Sequence, residues 1–486
     1  MNGTEGREAA VVATVTLGTM LAPLNSTMIA IALPRLVVVF RTHVGTAAWL
    51  VTMYLILMAT LQPVAGKLGD RFGRRRLILA GLAAFGLTSI GAALATDLPV
   101  LFAFRALQAV SGAIALPNGA ALLRQIVPAN RRGTRFGLLG SATSFAAAAG
   151  PPLGGLLVGL ADWRAIFLVN VLLVVPALLI GWLALPADAP GPGRTTAETH
   201  RFDVGGLTAG AQGTAAAAPP PALAPRPFDV GGAVWLSAVL ATLAELLTRV
   251  GRAGSAAPLA VGVPLLAVAL ALLLRREYRH PDPVLQPRFF RRRTFAAATG
   301  AVALSNLAMY STLLAVPLLL AARPGWSPAR IGLLLAALSA CTAACAPLGG
   351  RLADRYGRRW PVAGGLALLT VGLSILAAAG AAGVRLPLCL ALAGVGLGLS
   401  GAGMQTAALE AVSAGEAGAA AGAYSTSRYL GSIVGSSVLA VLVVPAVSAG
   451  HGSPVFVLVA VAALCSAVSA LAIEHRPAGA PAAAAG

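Results

Sequence analysis

The chain has 486 residues, 58% of them hydrophobic and 10% charged, with a mean hydropathy of +0.83. Soluble domains carry about 25% charged residues and disordered chains pair low hydrophobicity with high charge, so both classes are excluded. A formal charge of +19, from 35 Lys+Arg against 16 Asp+Glu, sits on a chain whose apolar surface needs lipid around it.

Windows of about 20 apolar residues, each able to cross ~30 Å of hydrocarbon as a helix, recur along the chain. They predict fourteen spans, at residues 10–33, 46–66, 77–95, 98–121, 136–160, 165–185, 230–249, 257–274, 296–321, 329–349, 361–380, 384–409, 419–445 and 453–474. None alternates apolar and polar residues as a barrel strand would. The first span is expected to be retained, because a cleaved signal starts basic and this one follows Glu5, Arg7 and Glu8. Residues 187–228 are rich in Ala, Pro and Gly and include Pro219-Pro220-Pro221. They read as a cytoplasmic linker rather than a fifteenth span. Phe202-Asp203-Val204-Gly205-Gly206 recurs as Phe228-Asp229-Val230-Gly231-Gly232, where the second copy leads into a span; a local duplication explains the pair.

With the N-terminus placed in the cytoplasm, most of the 35 Lys+Arg fall in cytoplasmic segments, the densest being residues 275–293 with seven arginines. This is the positive-inside asymmetry. It accounts for the net charge through anionic lipid and without nucleic acid. Lys67 is the one lysine, and with the heavy Ala, Gly and Pro content it reads as a GC-rich, bacterial coding genome. The expected location is the bacterial plasma (inner) membrane, with both termini cytoplasmic.

A longer repeat carries more information. Gly66-Lys67-Leu68-Gly69-Asp70-Arg71-Phe72-Gly73-Arg74-Arg75 matches Gly350-Arg351-Leu352-Ala353-Asp354-Arg355-Tyr356-Gly357-Arg358-Arg359. Both copies join one span to the next on the same predicted side, which implies two parallel halves. The expected organisation is an N-terminal half at 1–186, the linker at 187–228, two added spans with a basic loop at 229–294, and a C-terminal half at 295–486.

This doubled loop resembles the signature of the major facilitator superfamily, and fourteen spans resemble its drug:proton antiporters of the EmrB/QacA type. Further stretches are similar: residues 24–34 around Asn25, Arg105-Ala106-Leu107-Gln108, Gly150-Pro151-Pro152-Leu153-Gly154-Gly155, residues 163–170 from Trp163 to Asn170, and Arg428-Tyr429-Leu430-Gly431. The resemblance implies an all-α integral membrane protein with the major facilitator fold: fourteen transmembrane helices, in two six-helix halves plus two added central helices.

It also implies a gate, in which Asp70 meets an arginine or a helix N-terminus and glycine permits the tight turn. Gate candidates are Gly66, Asp70, Arg71, Gly73 and Arg74, with Gly350, Asp354, Arg355 and Gly357 in the second copy. The antiporter motif would comprise Gly137, Ala146, Gly150, Pro151, Gly154 and Gly155, small residues that let helices approach closely in lipid; the family's pattern has glycine where Ala146 stands.

Arg105 and Arg428 lie inside spans, where a central arginine costs about +2.5 to +3.5 kcal/mol on insertion scales, so a wet cavity is expected beside them. Asn25, Tyr54, Gln62, Gln108, Asn306, Tyr310, Gln405 and Tyr424 are polar or polar-tipped span residues that could line it. All five histidines fall outside the spans. Glu245 and Glu410 are the acids near span interiors, hence the candidates for coupling to protons. The family's first-span motif carries aspartate where this chain has Asn25, which cannot titrate.

No Walker loop, HExxH or nucleophile–base set is present, so neither an enzyme nor an ATP-driven pump is expected, and no cofactor. Cys341, Cys345, Cys389 and Cys465 lie in apolar stretches without His or carboxylate nearby and predict no metal site. The expected function is efflux of amphipathic drugs or antibiotics by alternating access, with small-molecule substrate, protons and the bilayer as partners and a monomeric state. A weakly coupled exporter or facilitator of an endogenous metabolite is the near alternative, and a transporter-like receptor or sensor the distant one.

Overall fold

A computed structural model describes residues 3–127, 129–188, 229–250, 257–280, 283–379, 385–413, 416–448 and 453–474. Among the described residues there are fourteen α-helices, one short 3-10 turn and no strand. In chain order they are α1 (Gly3–Val39), α2 (Val44–Phe72), α3 (Arg74–Ala93), α4 (Leu98–Ile126), α5 (Ala129–Leu160), α6 (Ala165–Ala184), α7 (Val230–Val250), α8 (Ala257–Arg279), α9 (Arg293–Ala321), α10 (Pro328–Tyr356), α11 (Arg359–Ala379), α12 (Arg385–Glu410), α13 (Ala417–Ser448) and α14 (Ser453–Ala470). Eleven candidate spans are long and apolar enough to cross a membrane, and shorter apolar stretches cover Phe145–Leu160 and Pro454–Ala470.

Helix satisfies every internal backbone group, which hydrocarbon demands. The ends use side chains: Asp97 accepts from Val100 N at the start of α4, and Ser327 from Arg330 N at the start of α10. Span hydroxyls are spent locally, as where Thr299 and Thr312 donate to carbonyls four residues back. Gly73 (φ 96°) and Gly357 (φ 78°) take backbone conformations that a side chain disfavours, at equivalent turns of the two repeat copies.

The halves repeat one packing scheme. In the first, α1 packs on α4, α5 and α6, α4 also on α2 and α3, and α3 on α6. In the second, α9 packs on α12, α13 and α14, α12 also on α10 and α11, and α11 on α14. The halves then meet reciprocally, α2 against α13 and α5 against α10, with α1 against α9 between them. This is the architecture that the sequence resemblance implies, an all-α assembly of two six-helix halves. The added α7 lies against α2 and α13, one helix from each half, and α8 packs chiefly on α7. The outer face of α8 is apolar and open, with Val261 72% and Val268 56% exposed, as suits a helix facing lipid. Of the linker, residues 189–228, including the first Phe-Asp-Val-Gly-Gly copy, lie outside the described residues.

Candidate functional site

The first half encloses a polar cluster in an apolar bundle. Arg105 on α4 is fully buried. Its Nη1 donates to Gln108 Oε1 at 2.7 Å and its Nη2 reaches Leu50 O at 3.5 Å. The guanidinium lies 4.4 Å from the Tyr54 ring centre and 5.9 Å from that of Phe167. Asn25 on α1 donates to the same Gln108 oxygen at 2.8 Å, and Gln108 Nε2 donates to Ser89 Oγ at 2.7 Å. Asn170 on α6 adds longer contacts, 3.4 Å to Ser89 Oγ and 3.5 Å to Asn25 Oδ1. Among the described residues, Arg105 Nε, Asn170 Oδ1 and the Tyr54 hydroxyl have no partner within hydrogen-bond geometry.

A buried cation surrounded by neutral dipoles is costly. Ring faces and amide oxygens offset part of that cost, but no carboxylate balances the charge: Arg105 is in ion-pair contact with none among the described residues. The cluster therefore favours groups carrying negative or partial negative charge. Ser89 and Asn170 are members that sequence reasoning did not single out. Asn170 closes the Trp163–Asn170 motif, and Ser89 is a lone hydroxyl in an apolar run, a weak signal at best.

Among the described residues, three hydrogen bonds cross between the halves. Ser26 meets Tyr310 at 3.0 Å, Thr52 meets Ser436 at 2.8 Å, and Gln62 Nε2 donates to Tyr429 Oη at 3.1 Å. Arg428, half-buried, lies 4.8 Å from the Tyr429 ring centre. Tyr424 is buried on the same helix, Asn306 donates to Val302 O within α9, and Gln405 is exposed on α12. Of the expected cavity residues, the structure thus joins Asn25, Tyr54, Arg105 and Gln108 into one cluster and sets Gln62, Tyr310 and Arg428 along the seam. Among the described residues, Asn306 and Gln405 join neither through a hydrogen bond.

Small residues shape the end of the bundle opposite the repeated loops. Gly150 and Gly154 face α1, where a Cβ on Gly154 would lie 3.1 Å from Met28 Cα. Gly155 faces α10: a Cβ there would lie 2.5 Å from Pro328 O and 2.8 Å from Gly332 Cα. A Cβ on Gly332 would in turn lie 2.5 Å from Pro151 O. The two halves therefore touch backbone to backbone at this end. Ala146 is buried on α5, and Gly137 lies outside the residues whose side-chain surroundings are described.

At the loop end each half is tied differently. After α6, Asp188 accepts from Arg75 N at 2.8 Å and Arg76 N at 3.1 Å, placing a carboxylate at the positive end of α3. In the second half Arg358 holds Asp354 at 2.6 Å and Glu410 at 2.8 Å. Hydrogen bonding to Glu410, then to Asp354, raises the Arg358 guanidinium above its ordinary value. Arg358 and Glu410 line a cavity of about 260 Å³ with Arg292, Arg293 and Glu474. Arg355 lies over the Tyr356 ring at 5.4 Å, and Gly350 is half-buried in the last two turns of the same helix. Gly66, Asp70 and Arg71 lie on α2, but their side chains fall outside the described residues; Arg74 begins α3. Glu245 pairs with Arg249 at 2.5 Å on α7. No group of three or more His, Cys, Asp or Glu that could hold a metal occurs among the described residues.

A family model described as Major Facilitator Superfamily matches residues 15–298 and 298–486. The chain is 31% identical over 440 residues, 90% of its length and 91% of the relative's, to the uncharacterized MFS-type transporter YvkA of Bacillus subtilis (strain 168). It is 30% identical over 373 residues, 76% of its length and 64% of the relative's, to the tetracenomycin C resistance and export protein of Streptomyces glaucescens. It is 28% identical over 364 residues, 74% of its length and 62% of the relative's, to a multidrug resistance protein B homolog of Mycobacterium tuberculosis. Among solved structures, a D-xylose-proton symporter superposes with a TM-score of 0.64 at 14% identity, covering 94% of this chain and 96% of the other.

Proposed function

Because this chain belongs to the major facilitator superfamily, it is a multi-pass membrane transporter and not an enzyme, and we propose that it exports amphipathic small molecules from a bacterial cell by alternating access. The observation that carries this reading is the buried Arg105–Gln108–Asn25 cluster, set in one half beside a hydrogen-bonded seam to the other. A buried polar cluster beside the junction of two parallel halves suits a substrate that both halves must release in turn. The Streptomyces and Mycobacterium relatives, named for resistance and export, favour the export direction and a drug-like substrate of the fourteen-span antiporter type.

With the basic loops placed in the cytoplasm, the Gly155–Gly332 contact closes the outer end. The described arrangement is then the state that receives substrate from inside. Rocking the halves would part α5 from α10 and break the seam bonds, while the Asp188 and Arg358 ties at the loop end hold helix ends within each half. The expected energy source is proton entry: one charge crossing 100 mV gains about 2.3 kcal/mol, enough for modest accumulation of a neutral substrate. Asn25 removes the first-span acid expected of the family, so coupling falls to other groups, with Glu245 and Glu410 as the span-edge candidates. Both are held in ion pairs, with Arg249 and Arg358. A positively charged cluster without its acid also favours neutral or anionic substrates over cations.

The test is transport by the purified full chain in liposomes carrying a proton gradient, with a cationic dye and a neutral or anionic antibiotic compared side by side. Uphill movement of the antibiotic that an ionophore abolishes is the expected result. Downhill flux indifferent to the ionophore would replace antiport with facilitated exit of a metabolite, and an absence of flux would leave a receptor-like role.

A further inference from the structure

Arg105, Asp229 and Glu277 are the charged side chains buried among the described residues, and the transport reading uses only the first. Asp229 stands at the start of α7, in the second Phe-Asp-Val-Gly-Gly copy. Its Oδ1 accepts from Gly232 N at 2.7 Å and from Arg276 Nε at 2.5 Å. Glu277, near the end of α8, accepts from Leu285 N through Oε2 at 2.7 Å. One oxygen of each carboxyl is then satisfied, and the other is not: among the described residues, Asp229 Oδ2 and Glu277 Oε1 are buried without a hydrogen-bond partner.

These two orphan oxygens border the same small space. A Cβ on Gly232 would fall against Asp229 Oδ2 and within 3.0 Å of Glu277 Oε1, so the missing side chain at Gly232 is what leaves room between them. Two carboxylates so placed cannot both stay ionised at low cost, because like charges in a poorly solvated site repel and each orphan oxygen lacks a donor. Arg276 neutralises one charge but bonds the oxygen already capped by Gly232. Asp229 and Arg276 are the charged groups that act on Glu277 among the described residues. Of the residues that follow α8, Val284 and Leu285 contribute backbone donors to Glu277.

We propose that Asp229 and Glu277 form a proton-binding site, in which one proton is shared between Asp229 Oδ2 and Glu277 Oε1 at the foot of the α7–α8 hairpin. The proton supplies the donor both oxygens lack and leaves a single negative charge opposite Arg276. It also ties α7 to α8, and α7 is the helix that lies against both α2 and α13. The site is separate from the Arg105 cluster and does not depend on which substrate is carried. Its edge is open past Arg276, whose side chain is 42% exposed and which lines an open cleft of about 390 Å³ with Trp235, Arg275 and Arg279.

Infrared difference spectroscopy of the full chain in lipid tests this directly. A protonated-carboxyl stretch at neutral pH is expected in the parent protein, lost in Glu277→Gln and shifted or lost in Asp229→Asn. Glu277→Gln carries its own N–H donor toward Asp229 and so should remain folded. Its thermal stability should be flat with pH, while that of the parent falls as pH rises and the shared proton leaves two unneutralised carboxylates. Absence of a carboxyl band that either substitution removes would overturn the proposal. Sodium or potassium binding, measured by calorimetry and abolished by Glu277→Gln, would overturn it too and make the pair a monovalent cation site.

Discussion

Asn25 and Arg105 converge on one atom: both donate to Gln108 Oε1, at 2.8 and 2.7 Å. An amide at position 25 is therefore built into the way the buried arginine is held. Aspartate there could not donate, and Gln108 would have to turn its amide and present Nε2 instead. Asn25→Asp adds a titratable group within reach of a buried cation. The expected outcome is a pH profile of the transport rate that shifts from the parent's, read as rate against pH in liposomes. A pH profile unchanged from the parent would dissociate residue 25 from coupling.

Arg105→Lys and Arg105→Ala should lose transport together. Lysine keeps the charge but lacks the planar fork that spans Gln108 and the Leu50 carbonyl while stacking on Tyr54. A charge-assisted hydrogen bond contributes about 1.5–3 kcal/mol, so losses of roughly tenfold or more are expected. Monodispersity on size exclusion separates lost transport from lost folding, and a Lys variant retaining full activity would reduce Arg105 to a point charge.

Gly155→Ala and Gly332→Ala push on the same contact from opposite sides. Each new Cβ would lie 2.5 Å from a facing carbonyl oxygen, Pro328 O or Pro151 O, and overpacking of this kind costs about 1–3 kcal/mol. The helices should part at that end and the population shift toward the state open there. Spin labels at the ends of α5 and α10, in a background with Cys341, Cys345, Cys389 and Cys465 replaced, should report a longer mean distance. An unchanged distance distribution would remove the contact as a closure element.

Glu410→Gln separates two roles for that residue. As a tie to Arg358 (18% exposed side chain) from a partly exposed carboxylate, it contributes at most about 1 kcal/mol, and its loss should change transport rate but not the pH profile. The raised Arg358 contributes stability that is intact below the ordinary arginine value and lost only at still higher pH, so the arginine adds no pH dependence in the physiological range. A profile that shifts in Glu410→Gln would instead make Glu410 the group that carries the proton.

Much of the fold was legible in local pattern. The hydropathy windows located all fourteen helices, though not their lengths. The first window, 10–33, sits inside α1 at Gly3–Val39, because hydropathy registers the hydrocarbon-facing part and helices continue beyond it. The repeated loop predicted equivalent turns, and Gly73 and Gly357 supply them with positive φ. The site was legible in part. A buried arginine in an apolar span announces itself by its cost, and Gln108 lies one turn away on the same helix. Ser89 and Asn170 do not, since a single hydroxyl or amide in a span more often bonds its own backbone. Asp188 fell within the predicted linker, and its place at the start of α3 depends on where α6 ends in space.

The sequence by itself determined that this chain lives in lipid, that it is helical, and that it is built as two parallel halves, because composition, 20-residue periodicity and a repeated loop are properties of neighbouring residues. Which polar groups meet was decided only by the tertiary structure. Asn25 and Gln108 are 83 residues apart, Thr52 and Ser436 are 384, and the two orphan oxygens of Asp229 and Glu277 face one space only once α7 has folded back on α8. Those encounters follow from the placement of whole helices against one another, which a side chain's immediate neighbours in the chain do not encode.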